Sequence, residues 1–327
     1  MSSNVLNPEI AAILAKLPAR PKGRLPIEQQ RAGFAMMMAG MHAGLAPHLP
    51  NESEYTVEDH TVPVEGGEIK VRSVVPKGGE NFPLLVWFHG GGWALGDIDM
   101  DDYYLRIISV KLKVSTVNVE YRLAPEFLFP TGINDAYAGL KWAAENAKAL
   151  SVSLSNGFIV GGTSAGGNLA ASVSLLARDD AFFKDRPLTG QLLIIPSVVH
   201  IDANVDVYRT ELLSMEENKD APSLDADAVR QFNEMLQAPP EDPRFSVLLA
   251  ESHANLPPAY IQVSGLDPLR DEGILYEKVL RNAGVKTQII VYPGLPHGGH
   301  GFLTTSIATK FNKDTRDGIR WLLSGHV

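Results

Sequence analysis

Cysteine is absent from the 327-residue chain. That excludes a disulfide framework, a thiolate nucleophile and any Cys-based metal site, and it fits a reducing compartment. Basic runs are missing as well. Lys and Arg number 29 against 38 Asp and Glu, a formal net charge of −9, and no cluster among them would track a phosphate backbone, so nucleic acid is not an expected partner. Long unbroken apolar stretches are lacking too. The most apolar early segment, residues 32–49, is interrupted by Gly33, Gly40, His42, Gly44, Pro47 and His48 and falls short of the ~20 apolar residues a membrane span requires. Met1–Glu9 has neither the charged start nor the apolar core of a secretory signal. The expectation is a soluble, cytoplasmic protein without internal repeats or low-complexity tracts.

What is present has three textures. Residues 1–50 are expected to be helical: Ile10, Ile13, Leu14 and Leu17 recur at helical spacing. A methionine cluster follows at Met36, Met37, Met38 and Met41. It reads either as adaptable packing or as a deformable apolar wall over a pocket. Two partly alternating runs, residues 55–64 and 69–75, flank Gly66-Gly67 and predict a β-hairpin. From residue 83 onward short apolar runs alternate with helical stretches. Strands are expected at Leu84–Phe88, Ser115–Glu120, Phe158–Gly161, Leu192–Pro196, Ala259–Ser264 and Thr287–Tyr292. Helices are expected at Gly132–Asn146, Ala165–Arg178, Asp225–Leu236, Asp271–Ala283 and Ser306–Leu323. That rhythm implies an α/β fold with a mostly parallel sheet covered on both faces. Residues 200–245 are polar and long for one connection. They predict an excursion that, with the N-terminal helices, builds a cap over the strand ends. The division is therefore an N-terminal helical cap segment at 1–50 and a catalytic domain at 51–327, with a second cap excursion at about 200–245.

The sharpest chemical signal is Gly162-Thr163-Ser164-Ala165-Gly166-Gly167, between a strand and a helix. A G-x-S-x-G sequence in that setting makes a sharp turn that lifts a serine hydroxyl above the sheet. It also places the serine at a helix N-terminus that favours developing negative charge. The second signal is His89-Gly90-Gly91-Gly92-Trp93, at the end of another strand. Three glycines in a row let backbone amides point at one spot. Amides from Gly90, Gly91 or Gly92, together with Ala165, can form an oxyanion hole. No Gly-Lys-Ser/Thr follows Gly92, which argues against a phosphate loop. His89 is expected to orient this loop by hydrogen bonds.

A serine nucleophile needs a base. Pro296-His297-Gly298-Gly299-His300 follows the last expected strand, and imidazole takes and returns protons near neutrality. His297, closer to the strand end, is favoured over His300. No third ligand group accompanies this His-x-x-His, so a metal is not expected. The orienting acid is expected at Asp267, first after its strand. Asp271 suits the first turn of the following helix. The order Ser164, Asp267, His297 is that of α/β-hydrolases, and all three follow strands whose carboxyl ends can converge.

His89–Trp93, Tyr121-Arg122-Leu123-Ala124-Pro125-Glu126, Gly162–Gly167 and Asp267–Glu272 together resemble the hormone-sensitive-lipase family of esterases, over roughly residues 50–325. The resemblance implies a capped α/β-hydrolase fold, a Ser164–Asp267–His297 triad, an oxyanion hole built from the Gly91 region and Ala165, no cofactor and a possible homodimer. Two departures stand out. Phe127-Leu128-Phe129-Pro130 replaces the family's His-Pro-Phe-Pro, and Gly298-Gly299-His300 intervenes where Gly-Phe normally follows the histidine. Residues 200–245 and the His297 loop are similar to fungal versiconal hemiacetal acetate esterases. The expected activity is acyl transfer from short- to medium-chain esters to water, in a pocket lined by Trp93, Phe34 and Met36–Met38. The rivals are an amide hydrolase or acyltransferase with the same triad, and a ligand-binding module of the kind that has lost the histidine.

Overall fold

In the computed structural model, which describes residues 5–17 and 23–325, eight strands form one sheet. They are β1 (Tyr55–Val64), β2 (Gly67–Pro76), β3 (Leu84–Phe88), β4 (Ser115–Glu120), β5 (Phe158–Thr163), β6 (Gly190–Ile194), β7 (Ala259–Leu266) and β8 (Thr287–Pro296). Their order is β1-β2-β4-β3-β5-β6-β7-β8. β1 and β2 are antiparallel at one edge, β2 meets β4 antiparallel, and every later pairing is parallel. The hairpin turn is Glu65-Gly66, with Gly66 at φ +74°, a conformation glycine adopts without steric cost. Gly67 already belongs to β2.

Helices α1 (Pro8–Leu14), α2 (Ile27–Leu45), α3 (Asp102–Leu112), α4 (Thr131–Glu145), α5 (Ala165–Asp179), α6 (Ser214–Glu217), α7 (Ala226–Leu236), α8 (Arg270–Asn282) and α9 (Ser306–Leu323) complete the chain. The two-residue period of a strand sorts the core into two layers. Leu84, Val86 and Phe88 of β3 join Phe158, Val160, Ile261 and Val263 under α4, α5 and α8. Leu85 and Trp87 join Ile159, Leu192 and Tyr260 under α3 and α9. β3 is buried along its whole length, as a strand covered on both faces must be.

The expected helices match to within a residue or two. α3 was not expected. Leu105 and Ile108 lie three apart on its buried face, while its β-branched Ile107, Ile108 and Val110 weaken the helical signal.

The N-terminal segment divides in two. Residues 1–4 and 18–22 of it lie outside the described residues. Ile10 of α1 is fully buried in the α3/α9 layer, and the Asn7 amide donates to the Gly294 carbonyl at 2.9 Å. α2 instead lies along the loops that follow β3 and β4. Arg31 donates to the carbonyls of Ala94 and Ala124, both at 3.0 Å, and grips both carboxylate oxygens of Glu126. Among the described residues no helix is long and apolar enough to cross a membrane.

Candidate active site

Ser164 caps α5 with φ +57° and ψ −116°, a left-handed value rarely adopted by a residue with a side chain. The glycines around it are sterically required. A Cβ on Gly166 would lie 1.9 Å from the Phe88 carbonyl oxygen, and one on Gly162 would lie 2.3 Å from the Gly166 oxygen. β3, β5 and the start of α5 therefore meet backbone to backbone. The Ser164 amide donates to the Ile194 carbonyl at 2.8 Å, which ties the turn to β6.

Three side chains from three loops meet here. The Ser164 hydroxyl lies 2.9 Å from His297 Nε2, and His297 Nδ1 lies 2.6 Å from Asp267 Oδ2. A carboxylate only accepts, so Nδ1 carries the proton and Nε2 is left to accept from the serine. Asp267 is only 1% exposed, and its second oxygen accepts from the Leu269 amide at 2.9 Å. The His297 side chain is 12% exposed, so the triad is sheltered yet reachable.

His300 takes a different place. Its ring stacks on Phe311 at 4.6 Å and 14°, and burial pushes its pKa down to about 4. His297, and not His300, is the histidine brought to Ser164.

The glycine loop lies alongside. A Cβ on Gly90 would sit 3.7 Å from the Ser164 Cβ. Gly91 and Gly92 have φ +115° and +60°, and a side chain at Gly91 would strike the Leu95 carbonyl at 2.3 Å. Ala165, the first residue of α5, is buried. His89 holds the loop's shape. Its Nδ1 donates to the Gly90 carbonyl at 2.7 Å, and the Tyr121 hydroxyl donates to the His89 carbonyl at 2.9 Å. Burial lowers the His89 pKa to about 4, which keeps the ring neutral at physiological pH.

Other expected pocket residues are dispersed. Met36 and Met37 are 78% and 54% exposed. Trp93 is buried with its ring 4.8 Å from that of Phe245. Met38 is buried and Phe34 half-buried. Asp271 does sit in the first turn of α8, but its carboxylate also accepts from the amides of Leu213 and Ser214, at 2.9 and 2.7 Å. The Asn218 side chain donates to the Asp267 carbonyl at 3.1 Å. Arg31, Ser214 and Asn218 were not legible in the sequence, because a polar residue on or just after a helix carries no local sign of a carbonyl far along the chain. Among the described residues no three His, Asp or Glu side chains converge to hold a metal ion.

The eight-stranded, mostly parallel sheet with helices on both faces defines an α/β-hydrolase architecture. Residues 85–301 match the family described as alpha/beta hydrolase fold, and the chain belongs to that family, in its hormone-sensitive-lipase-like branch. The versiconal hemiacetal acetate esterase of Dothistroma septosporum is 36% identical over 310 residues, covering 94% of this chain and 93% of its own. The crystal structure of a vibralactone cyclase superposes with a TM-score of 0.97 at 44% identity, covering 100% of this chain and 97% of the other. An esterase from Pyrobaculum calidifontis superposes with a TM-score of 0.83 at 32% identity, covering 98% of both chains. By this membership the chain is an enzyme of the carboxylic ester hydrolase class.

Proposed function

We propose that the chain hydrolyses short- to medium-chain carboxylic esters through an acyl-serine intermediate. The reading rests on one observation: the hydrogen-bonded relay from Ser164 through His297 to Asp267, at 2.9 and 2.6 Å. Ser164 Oγ attacks the ester carbonyl carbon while His297 Nε2 takes its proton. Asp267 holds the imidazole tautomer and stabilises the imidazolium without itself accepting the proton. The carbonyl oxygen becomes an oxyanion, for which amides of the Gly90–Gly92 loop and Ala165 are the donors. Each such donor is worth ~10²–10³ in rate. His297 then protonates the leaving alcohol, and water repeats the sequence on the acyl-serine. α2 and the excursion carrying α6 and α7 form the cap in this reading.

A panel of nitrophenyl esters tests it. Ser164→Ala and His297→Ala are expected to lower kcat by ~10⁴-fold or more, whereas His300→Ala keeps most activity. Wild-type turnover in Ser164→Ala would sink the reading.

The likeness to the cyclase favours a second reading, in which a hydroxyl of the same substrate replaces water. His297 takes that hydroxyl's proton, the new C–O bond forms, the Ser164 Oγ–acyl bond breaks as His297 returns the proton to Oγ, and a lactone leaves. Turnover in oxygen-labelled water separates the two, since label enters the acid released by hydrolysis but not a lactone.

A further inference from the structure

The third glycine of the oxyanion loop faces a side chain from a distant part of the chain. A Cβ built on Gly92 would lie 2.4, 2.5 and 2.6 Å from Cγ, Cδ1 and Cδ2 of Phe232. Three near-equal distances to adjacent ring atoms place the built Cβ over the face of the ring, so the ring lies flat against the glycine on the side where a side chain would project. Gly92 is buried and Phe232 is half-buried, so the ring covers the loop and keeps part of its own surface open.

α7 is fastened in a way that fixes this ring. Ala228, Val229 and Leu236 are buried and share the inward face with Phe232 at helical spacing. Phe232 packs both on the main core and on the small cluster of Leu224, Val229 and Leu269 under the excursion. On the outer face Arg24 pairs with Asp227 and Glu234, linking α7 to the segment that leads into α2. At its C-terminal end the Phe129 amide donates to the Leu236 carbonyl at 3.0 Å. The ring is thus set by a rigid element and not by a mobile loop.

We propose that Phe232 is a specificity-determining residue: its ring is the wall that limits the size of the substrate group seated over Gly92. The proposal rests on the reading that the Gly90–Gly92 loop binds the ester carbonyl oxygen. A substrate so bound has its next few atoms within van der Waals reach of Gly92, because the oxyanion sits about 3 Å from its amide donors and the carbonyl carbon is one bond further. A ring already lying on that glycine occupies the space a bulky group would need. An apolar wall discriminates by the methylenes it admits or refuses, at tenfold to a few hundredfold in kcat/KM.

The test compares wild type, Phe232→Ala and Phe232→Trp in the full chain on two series. One varies the acyl group (nitrophenyl acetate, butyrate and octanoate), and the other varies the alcohol (methyl, butyl and octyl acetate). Ratios of kcat/KM within one preparation do not depend on how much of a variant is folded, so loss of packing alone leaves them unmoved. Phe232→Ala is expected to raise the large-over-small ratio about tenfold in one series, and Phe232→Trp to lower it in the same series. The series that responds identifies which half of the ester lies over Gly92. Ratios within about twofold of wild type in both series, with Ser164-dependent turnover intact, overturn the proposal alone. Turnover that survives Ser164→Ala overturns the underlying reading, and the proposal with it.

Discussion

Ser164 holds a left-handed backbone conformation of the kind that costs about 1–3 kcal/mol and persists only where the surroundings enforce it. The enforcing groups are Gly162, Gly166 and the end of β3. Gly166→Ala puts a methyl 1.9 Å from a carbonyl oxygen of β3, and neither partner is a side chain that can swing away. The expected outcome is a loss on the order of 3 kcal/mol together with loss of turnover, checked by denaturant titration. Ser164→Gly, two positions earlier, should lose turnover while raising the denaturation midpoint, because glycine accepts the strained φ freely. A lower midpoint would show that the serine turn is not strained. These residues were legible in the sequence because their requirement is local: a strand, a tight turn and a helix within a few positions. The choice between His297 and His300 was less legible. Both follow the same strand, and what separates them is long-range: His297 meets Ser164 and Asp267, while His300 stacks on Phe311. Phe232 was illegible, since nothing around it in the chain signals that Gly92 lies beneath it.

At the scale of elements, the central strands could be read as short, largely apolar runs, because both their faces are covered, and the long helices could be read from the periodic apolar face each buries. α3 escaped because three β-branched residues blurred its period. α6 escaped because its four residues have no period at all. It is defined by what it docks on. Ser214 Oγ donates to the Pro268 carbonyl at 2.7 Å and accepts from the Asp271 amide at 3.0 Å. Asp271 in turn accepts from two amides at the start of α6. This cluster borders the loop carrying Asp267. Asp271→Ala leaves those two amides and the Arg270 side chain, which donates to Asp271 Oδ1 at 2.7 Å, without their acceptor. The Leu213 amide is exposed and can turn to water, but the Ser214 amide and Arg270 Nε are part-buried. A buried donor left unpaired costs about 1–3 kcal/mol, so the thermal midpoint should fall by a few degrees, and an unchanged midpoint would show that water substitutes fully. α1 and α2 also differ in kind. Deleting both removes Ile10 from the α3/α9 core as well as the Arg31 contacts, so both the fold and the substrate preference are expected to suffer.

At the scale of the whole molecule, buried ionisable groups give stability a pH dependence that no local feature of the sequence announces. Burial lowers His89 and His300 to about 4 from 6.5. Between those values the unfolded chain binds protons that the native state refuses, so these two residues make stability fall as pH drops below 6.5. Two carboxyls act in the opposite sense. Burial raises Asp101 from 3.8 to about 6. It also raises Glu272 from 4.5 to about 8, against the Val198 and Val199 amides that donate to it at 2.6 and 3.0 Å. A raised acid is protonated when folded and ionised when unfolded, so its contribution falls as pH rises through the interval between the two values. Below about 6 the two pairs oppose each other. From 6.5 to 8 Glu272 alone among the four is still titrating in the native state. Wild type should therefore lose stability across that interval, by at most about 1.4 kcal/mol per pH unit for one proton. Glu272→Gln keeps a carbonyl oxygen for the two amides and has no proton to lose, so its stability should be nearly flat over the same interval. Denaturant titrations at both ends measure the two slopes. Parallel slopes would mean that Glu272 is already ionised in the native state and that the turn after β6 holds a buried carboxylate, not a neutral acid.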